Sequence, residues 1–251
     1  MINWKQRSCK KELLDGDHLP FDAIRQNMKE LDVINHRLGG HRITLKGLHS
    51  LLKKNSTSLH TPLQVVEIGC GGGDNLRVIQ QWAFKRKLAV QLTGIDINPE
   101  CIAYAKSRAE AGGIQLICSD YRQVKFHQKP HVIFSSLFCH HFNEVELVSM
   151  LQWMQRHTSV GFFINDLHRH PLAYYSIKGL TALLSKSYLV RHDAPLSVLR
   201  SFVKKDWEVL FQKAGIAAYQ CRWQWAFRWL VTYVHDRSAI VKGQWSVVNS
   251  E

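Results

Sequence analysis

The stretch "LQVVEIGCGGGDN", residues 63–75, constrains this chain more than any other. An apolar run stops at Glu67, and four of the next six residues are glycine. Glycine loses the most backbone entropy on folding and packs nothing. A cluster of it marks a special turn or a close approach to a ligand. "DNLRVIQQWAFKRK" then reads as a helix, so the glycines join a buried strand to a helix start.

The same rhythm continues down the chain. "AVQLTGIDI", "IQLICSD", "HVIFSSLF" and "VGFFINDL" read as strands. "PECIAYAKSRAEAGG" and "EVELVSMLQWMQRH" read as the helices between them. The strands are apolar without strict alternation, which predicts cover on both sheet faces. Repeated βα units of that kind predict an α/β fold with a doubly wound, mostly parallel sheet. "AAYQCRWQWAFRWLVTYVH" reads as two strands and a tight turn, an antiparallel pair at the sheet edge.

Before this block, residues 1–60 read as an N-terminal helical cap segment. Ile24, Met28, Leu31, Ile34 and Leu38 make one apolar helical stripe, Gly39-Gly40 stops it, and a second helix follows from Thr44 to Lys53. "NSTSLHTP" is a linker into the main domain, 61–235, and the tail is 236–251. A helical lid insertion is expected at about 170–203, rich in Leu172, Tyr174, Tyr175, Leu183 and Tyr188. The six cysteines form no C-x-x-C pair and predict neither a disulfide framework nor a zinc site. A polar N-terminal stretch and the absence of an 18-residue apolar run predict a cytoplasmic location.

In a doubly wound sheet, ligands sit beyond the carboxyl ends of the strands. Here the glycine spacing fails G-x-G-x-x-G, because Asp74 stands at the sixth place. Glu67 and Asp74 around the loop would repel a phosphate and suit a cationic, amino-bearing ligand. Asp96 ends the second strand, placed to accept from both hydroxyls of a ribose. Asp120 ends the third, placed to accept from an exocyclic amine. An adenosine carrying an amino acid, S-adenosylmethionine, meets all three demands.

"VVEIGCGGGDN", "GIDINPECIAYAK", "ICSDY" and "VIFSSLFCHHF" resemble motifs I to IV of class I S-adenosylmethionine-dependent methyltransferases of small-molecule type, over residues 60 to 235. The resemblance implies a seven-stranded Rossmann-like sheet with one antiparallel strand. It assigns Glu67, Gly69, Cys70, Gly71, Gly73 and Asn75 to the cofactor loop and Asp96 to the ribose. Ile97 packs on the adenine, with Asp120 and Tyr121 at its edge. Ser135 and Ser136 fall near the methionine moiety.

Methyl transfer to oxygen needs alignment and a base of near-neutral pKa, for which histidine is suited. "FCHHF" places His140 and His141 past the fourth strand, and similar families carry a histidine at the second place. "NDLHRHP" adds Asp166, His168, Arg169 and His170 on the same rim, with Arg169 able to pair a carboxylate or phenolate. The histidines lack H-E-x-x-H spacing, so no metal is expected. The apolar lid predicts a hydrophobic phenolic, polyketide-like or quinone-type substrate. The net charge of +13 keeps RNA or protein methylation as an alternative and allows peripheral membrane contact. A non-catalytic cofactor-binding module and a nicotinamide enzyme are the other rivals.

Overall fold

The structure, a computed structural model, describes residues 2–16, 19–54, 62–108 and 113–236. Of the expected linker only Pro62, and of the expected tail only Asp236, lies among them.

Seven strands form one sheet: β1 Leu63–Ile68, β2 Val90–Asp96, β3 Ile114–Cys118, β4 Val132–Ser136, β5 Gly161–Leu167, β6 Tyr219–Gln224 and β7 Arg228–Val234. Their order is β3-β2-β1-β4-β5-β7-β6. β1 pairs in parallel with β2 and β4, β2 with β3, and β4 with β5. β7 alone runs against its neighbours, inserted between β5 and β6. The expected hairpin is therefore present, with β6 on the rim and β7 inside the sheet. The chain moves outward from β1 to β3 and then crosses back to β4. That reversal opens a crevice between the ends of β1 and β4.

Among the described residues, eight α-helices surround the sheet: α1 Phe21–Arg37, α2 Gly40–Lys54, α3 Asp74–Lys85, α4 Pro99–Arg108, α5 Glu144–His157, α6 Pro171–Leu184, α7 Tyr188–Arg200 and α8 Lys204–Ala214. One face buries Met150, Leu151, Trp207 and Phe211 of α5 and α8. The other buries Ile43, Leu48 and Leu51 of α2 with Leu76 and Ile79 of α3. The 1–60 segment thus divides. α2 is built into the core, close enough that a Cβ on Gly47 would meet the Phe163 ring at 2.5 Å. α1 lies at the crevice, where Ile24 and Met28 pack on Cys101 and Tyr104 of α4.

Two expectations are corrected. Residues 2–16 form a strap with no α-helix and one 3-10 turn at Leu13–Asp15, against the helical expectation. Their backbone serves other elements instead. Ser8 N donates to Leu199 O, and Leu13 N and Leu14 N donate to the Asp193 carboxylate. α2 also starts at Gly40, before Thr44, because its first carbonyl is held by Asn165 Nδ2 at 3.1 Å. The helical stretch expected at about 170–203 is α6 and α7. His170 caps α6, with Pro171 as its first residue, and Ser187 caps α7. Among the described residues no helix is long and apolar enough to cross a membrane.

Candidate functional site

A cavity of about 1150 Å3 fills the crevice. Its floor includes Glu67, Gly69, Cys70, Gly71, Asn75 and Asp96. The β1–α3 loop bends through left-handed backbone at Gly69 (φ 65°) and Gly71 (φ 49°). A Cβ at Gly69 would lie 2.1 Å from the Phe138 ring, so only glycine fits between loop and neighbour. Asp96 braces the bend: Oδ2 accepts from Gly71 N at 2.8 Å and Oδ1 from Asn98 N at 2.9 Å. Each oxygen keeps a lone pair for a ligand hydroxyl. Burial raises the Asp96 carboxyl above its ordinary range despite these donors.

Glu67 is the buried end of β1. Oε1 accepts from Asn75 Nδ2 at 2.9 Å, while Oε2 has no partner. Burial first, and then Asp74, push its carboxyl well above the usual range. A buried acceptor with nothing to accept is costly, and a cationic donor in the cavity would relieve it. Asp74 is otherwise engaged. Burial raises its carboxyl, but the His41 hydrogen bond at 2.6 Å and the His41 charge outweigh that and hold it low.

The remaining sequence candidates divide. Ile97 lines the cavity at its rim, and Ser136 lines it with Leu137 and Phe138. Ser135 is fully buried against Cys139 and does not line the cavity. Gly73 caps α3 behind the loop and also stands outside. Asp120 is drawn away by Arg122, whose Nε lies 2.9 Å from Oδ2, and Tyr121 packs edge-on to Trp153. Neither reaches the cavity. His168 also faces elsewhere: it accepts from Trp223 Nε1 at 3.2 Å, and burial, then His170, lower it to about 4. Arg169 is a structural group. Its buried guanidinium donates to Ser201 O at 2.5 Å and Asp206 Oδ2 at 3.0 Å, and binds the strap through Trp4 O.

His140 and His141 do line the cavity, joined there by Glu12, Asp15 and Arg200, which no local motif announces. His140 Nδ1 is 2.8 Å from Asp166 Oδ1, and His141 Nδ1 is 2.7 Å from Asp15 Oδ1. Burial raises the Asp166 carboxyl, but the His140 charge and hydrogen bond hold it below the ordinary range. A carboxylate only accepts, so each Nδ1 carries a hydrogen. Both Nε2 atoms face Glu12: Oε1 is 3.5 Å from His140 Nε2, and Oε2 is 3.8 Å from His141 Nε2. Glu12 and Asp15 come from the strap, whose Arg7 donates to His140 O and Phe142 O. Arg200 of α7 donates to His141 O and pairs with Asp15 at 3.0 Å.

Burial pushes Glu12 up to about 7, against the pull of His141, Ser197 and Arg200. Burial also opposes ionisation of Asp15, but His141 and Arg200 win and hold it at about 2. Glu12, His140 and His141 bring three metal-capable atoms within 4.8 Å, as do Asp32, His41 and Asp74. Arginines stand beside both groups: Arg200 Nε is 3.9 Å from Glu12, and Arg77 Nη2 is 3.2 Å from Asp32.

The Glu12 shift has a measurable consequence. Its folded pKa of about 7 exceeds the ordinary 4.5, so the stability it contributes is full below about 4.5 and is lost as pH rises through 7. Wild type should lose on the order of 3 kcal/mol relative to Glu12→Gln between pH 5 and 9 in urea unfolding. Parallel pH curves for the two proteins would place the titration elsewhere.

The comparisons with known proteins fall on this same ground. Residues 65–161, from β1 to the start of β5, match the family described as methyltransferase domain. Those residues are similar to methyltransferase domains. Malonyl-[acyl-carrier protein] O-methyltransferase of Acetivibrio thermocellus is 25% identical over 105 residues, 41% of this chain and 35% of that protein. The enzyme of the same description from Anoxybacillus flavithermus is 30% identical over 91 residues, 36% of this chain and 32% of its own. The chain thus spans about a third of the length of these curated relatives. The plantazolicin methyltransferase BpumL, solved with S-adenosylhomocysteine, superposes with a TM-score of 0.61 at 18% identity, over 86% of this chain and 95% of that one. That likeness carries the methyltransferase fold beyond the matched segment. The glycine loop, Asp96 and the paired histidines all lie in the matched segment. Glu12, Asp15 and Arg200 reach it from outside the matched segment.

Proposed function

We propose that this chain transfers a methyl group from S-adenosylmethionine to an oxygen of a hydrophobic small molecule. The observation that carries the reading is one continuous cavity. It joins the glycine loop, Glu67 and Asp96 at one end to Glu12, His140 and His141 at the other. At about 1150 Å3 it exceeds the roughly 300–1,000 Å3 of a single small-molecule pocket, which leaves room for two ligands. The bound cofactor would supply a methyl already activated by the sulfonium.

The chain's own residues supply the rest. Glu67 Oε2 receives the ammonium end, and Asp96 receives the ribose. The acceptor lies among Leu14, Met28, Leu31, Ile177, Leu180 and Val198, which form an apolar wall. Its hydroxyl proton passes to His141 Nε2 as the new carbon–oxygen bond forms and the carbon–sulfur bond breaks. Asp15 on Nδ1 stabilises the imidazolium, as a carboxylate does behind a general base. The apolar wall favours a phenolic, polyketide-like or quinone-type acceptor over a charged macromolecule.

Calorimetry with S-adenosylhomocysteine beside NADH tests the cofactor, and binding of the first alone is expected. Radiolabelled S-adenosylmethionine offered to hydrophobic small-molecule extracts, total RNA and protein then tests the acceptor. Label should enter the small-molecule fraction. Label confined to RNA or protein would replace this reading, and binding without any transfer would leave a cofactor-binding module.

A further inference from the structure

Arg228 is a buried cation in the cavity wall without a counter-charge. It opens β7 directly after the turn at 225–227 and stands opposite Leu167 of β5. Its side chain is 2% exposed, yet it lines the cavity. Its hydrogen bonding is one long contact, Nη1 to Asn165 Oδ1 at 3.5 Å. Among the described residues it makes no ion pair.

The other buried arginines show the contrast. Arg169 holds Asp206 and three backbone carbonyls, and Arg200 holds Asp15 and three. An unpaired buried guanidinium costs several kcal/mol, so such groups are normally matched. Burial lowers Arg228 to about 10, which still leaves it charged at neutral pH. Asp166 and Asp74 favour that charge from nearby, but their oxygens are engaged by His140 and by His41 with Asn35.

We propose that Arg228 anchors a carboxylate group that a ligand carries into the cavity. A planar carboxylate meets the fork of a guanidinium with two parallel hydrogen bonds. A phosphate is disfavoured, because Glu67, Asp74, Asp96 and Asp166 already make this region acidic. The wall beside Arg228 also has acceptors to spare. A Cβ on Gly40 would lie 1.7 Å from Asn35 Oδ1 and 3.0 Å from Arg228 Cζ, so these two groups adjoin. Asn35 Oδ1 and Glu67 Oε2 both lack partners. Unpaired acceptors and an unpaired cation lining one cavity suit the ammonium and carboxylate of an α-amino-acid end. Two ligands can bring the carboxylate: the cofactor through its methionine end, or the acceptor. The first source rests on the function proposed above, and the second does not.

Calorimetry on the full chain separates them. The probes are S-adenosylhomocysteine, 5′-methylthioadenosine, which lacks the amino-acid end, and decanoate against decanol with S-adenosylhomocysteine present. If the cofactor brings the carboxylate, Arg228→Gln should weaken S-adenosylhomocysteine by about 30- to 300-fold, spare methylthioadenosine, and be partly rescued by Arg228→Lys. If the acceptor brings it, Arg228→Gln should spare both nucleosides and abolish the preference for decanoate over decanol. Arg228→Met without ligand should melt no lower than wild type, since it removes an unpaired charge. Unchanged affinity for every probe, or a ligand-free Arg228→Met that melts well below wild type, overturns the proposal. Failure of wild type to bind S-adenosylhomocysteine would instead sink the cofactor reading, and the decanoate arm would still judge Arg228.

Discussion

Asp96→Ala is expected to weaken S-adenosylhomocysteine binding by about 100- to 1,000-fold, the largest loss of any single substitution in the cavity floor. Its carboxylate does two jobs. It is the acceptor offered to the ribose, and its Oδ2 holds Gly71 N at 2.8 Å to set the glycine bend. Hydrogen bonds to a charged group contribute about 1.5–3 kcal/mol each, and every 1.4 kcal/mol is tenfold in affinity. Two ribose bonds near the lower end of that range give about 100- to 1,000-fold before any loosening of the loop. Asp96→Asn keeps one acceptor and should fall between. Asp120→Ala is the control: its carboxylate is held by Arg122 outside the cavity, so affinity should change by less than about threefold. Calorimetry on folded protein, checked by circular dichroism, reads both. Binding by Asp96→Ala within threefold of wild type would remove the ribose from Asp96. Equal losses in the two variants would return Asp120 to the site.

The contrast between these aspartates shows what the sequence could and could not tell. Asp96 ends β2 and Asp120 lies two residues past β3, and strand ends are legible because buried apolar runs and glycine punctuation have strong local signals. Asp96 is followed by "INP", and its side chain turns back to the loop and the next helix. Asp120 is followed by "YR", and an arginine two residues on captures it. Competition between a ligand role and a near neighbour is decided by side-chain reach, which spacing does not encode.

The acid–base end was half legible. His140 and His141 stand out as a pair after a predicted strand. Glu12 and Asp15 lie in "KELLDGD", more than 120 residues away, where the pattern is that of an ordinary polar terminus. They are brought to the histidines by contacts distant in sequence: Arg7 donates to His140 O, Arg169 to Trp4 O, and Arg200 to Lys10 O and Asp15. Non-local contacts of that kind leave no periodicity. The sheet was legible for the opposite reason, since each βα unit declares itself locally. Only the insertion of β7 between β5 and β6 required pairing information.

Arg169 is the residue for which the two readings diverge most, and its removal separates them. A rim arginine that pairs a substrate would, when lost, leave stability intact and weaken the acceptor. The structure gives it the opposite character. Its side chain is fully buried, with Asp206 at 3.0 Å and the carbonyls of Trp4, Lys5 and Ser201 as further acceptors. Arg169→Ala would orphan those acceptors and undo the clasp between strap, α6 and α8. The expected cost is about 3–5 kcal/mol in urea unfolding, the range for breaking a buried pair from one side. Asp206→Asn should cost less, because the guanidinium keeps its carbonyls. S-adenosylhomocysteine affinity, measured on the folded fraction at low temperature, should stay within about threefold, because Arg169 does not line the cavity. A stable Arg169→Ala protein that fails only in acceptor turnover would return this arginine to the chemistry.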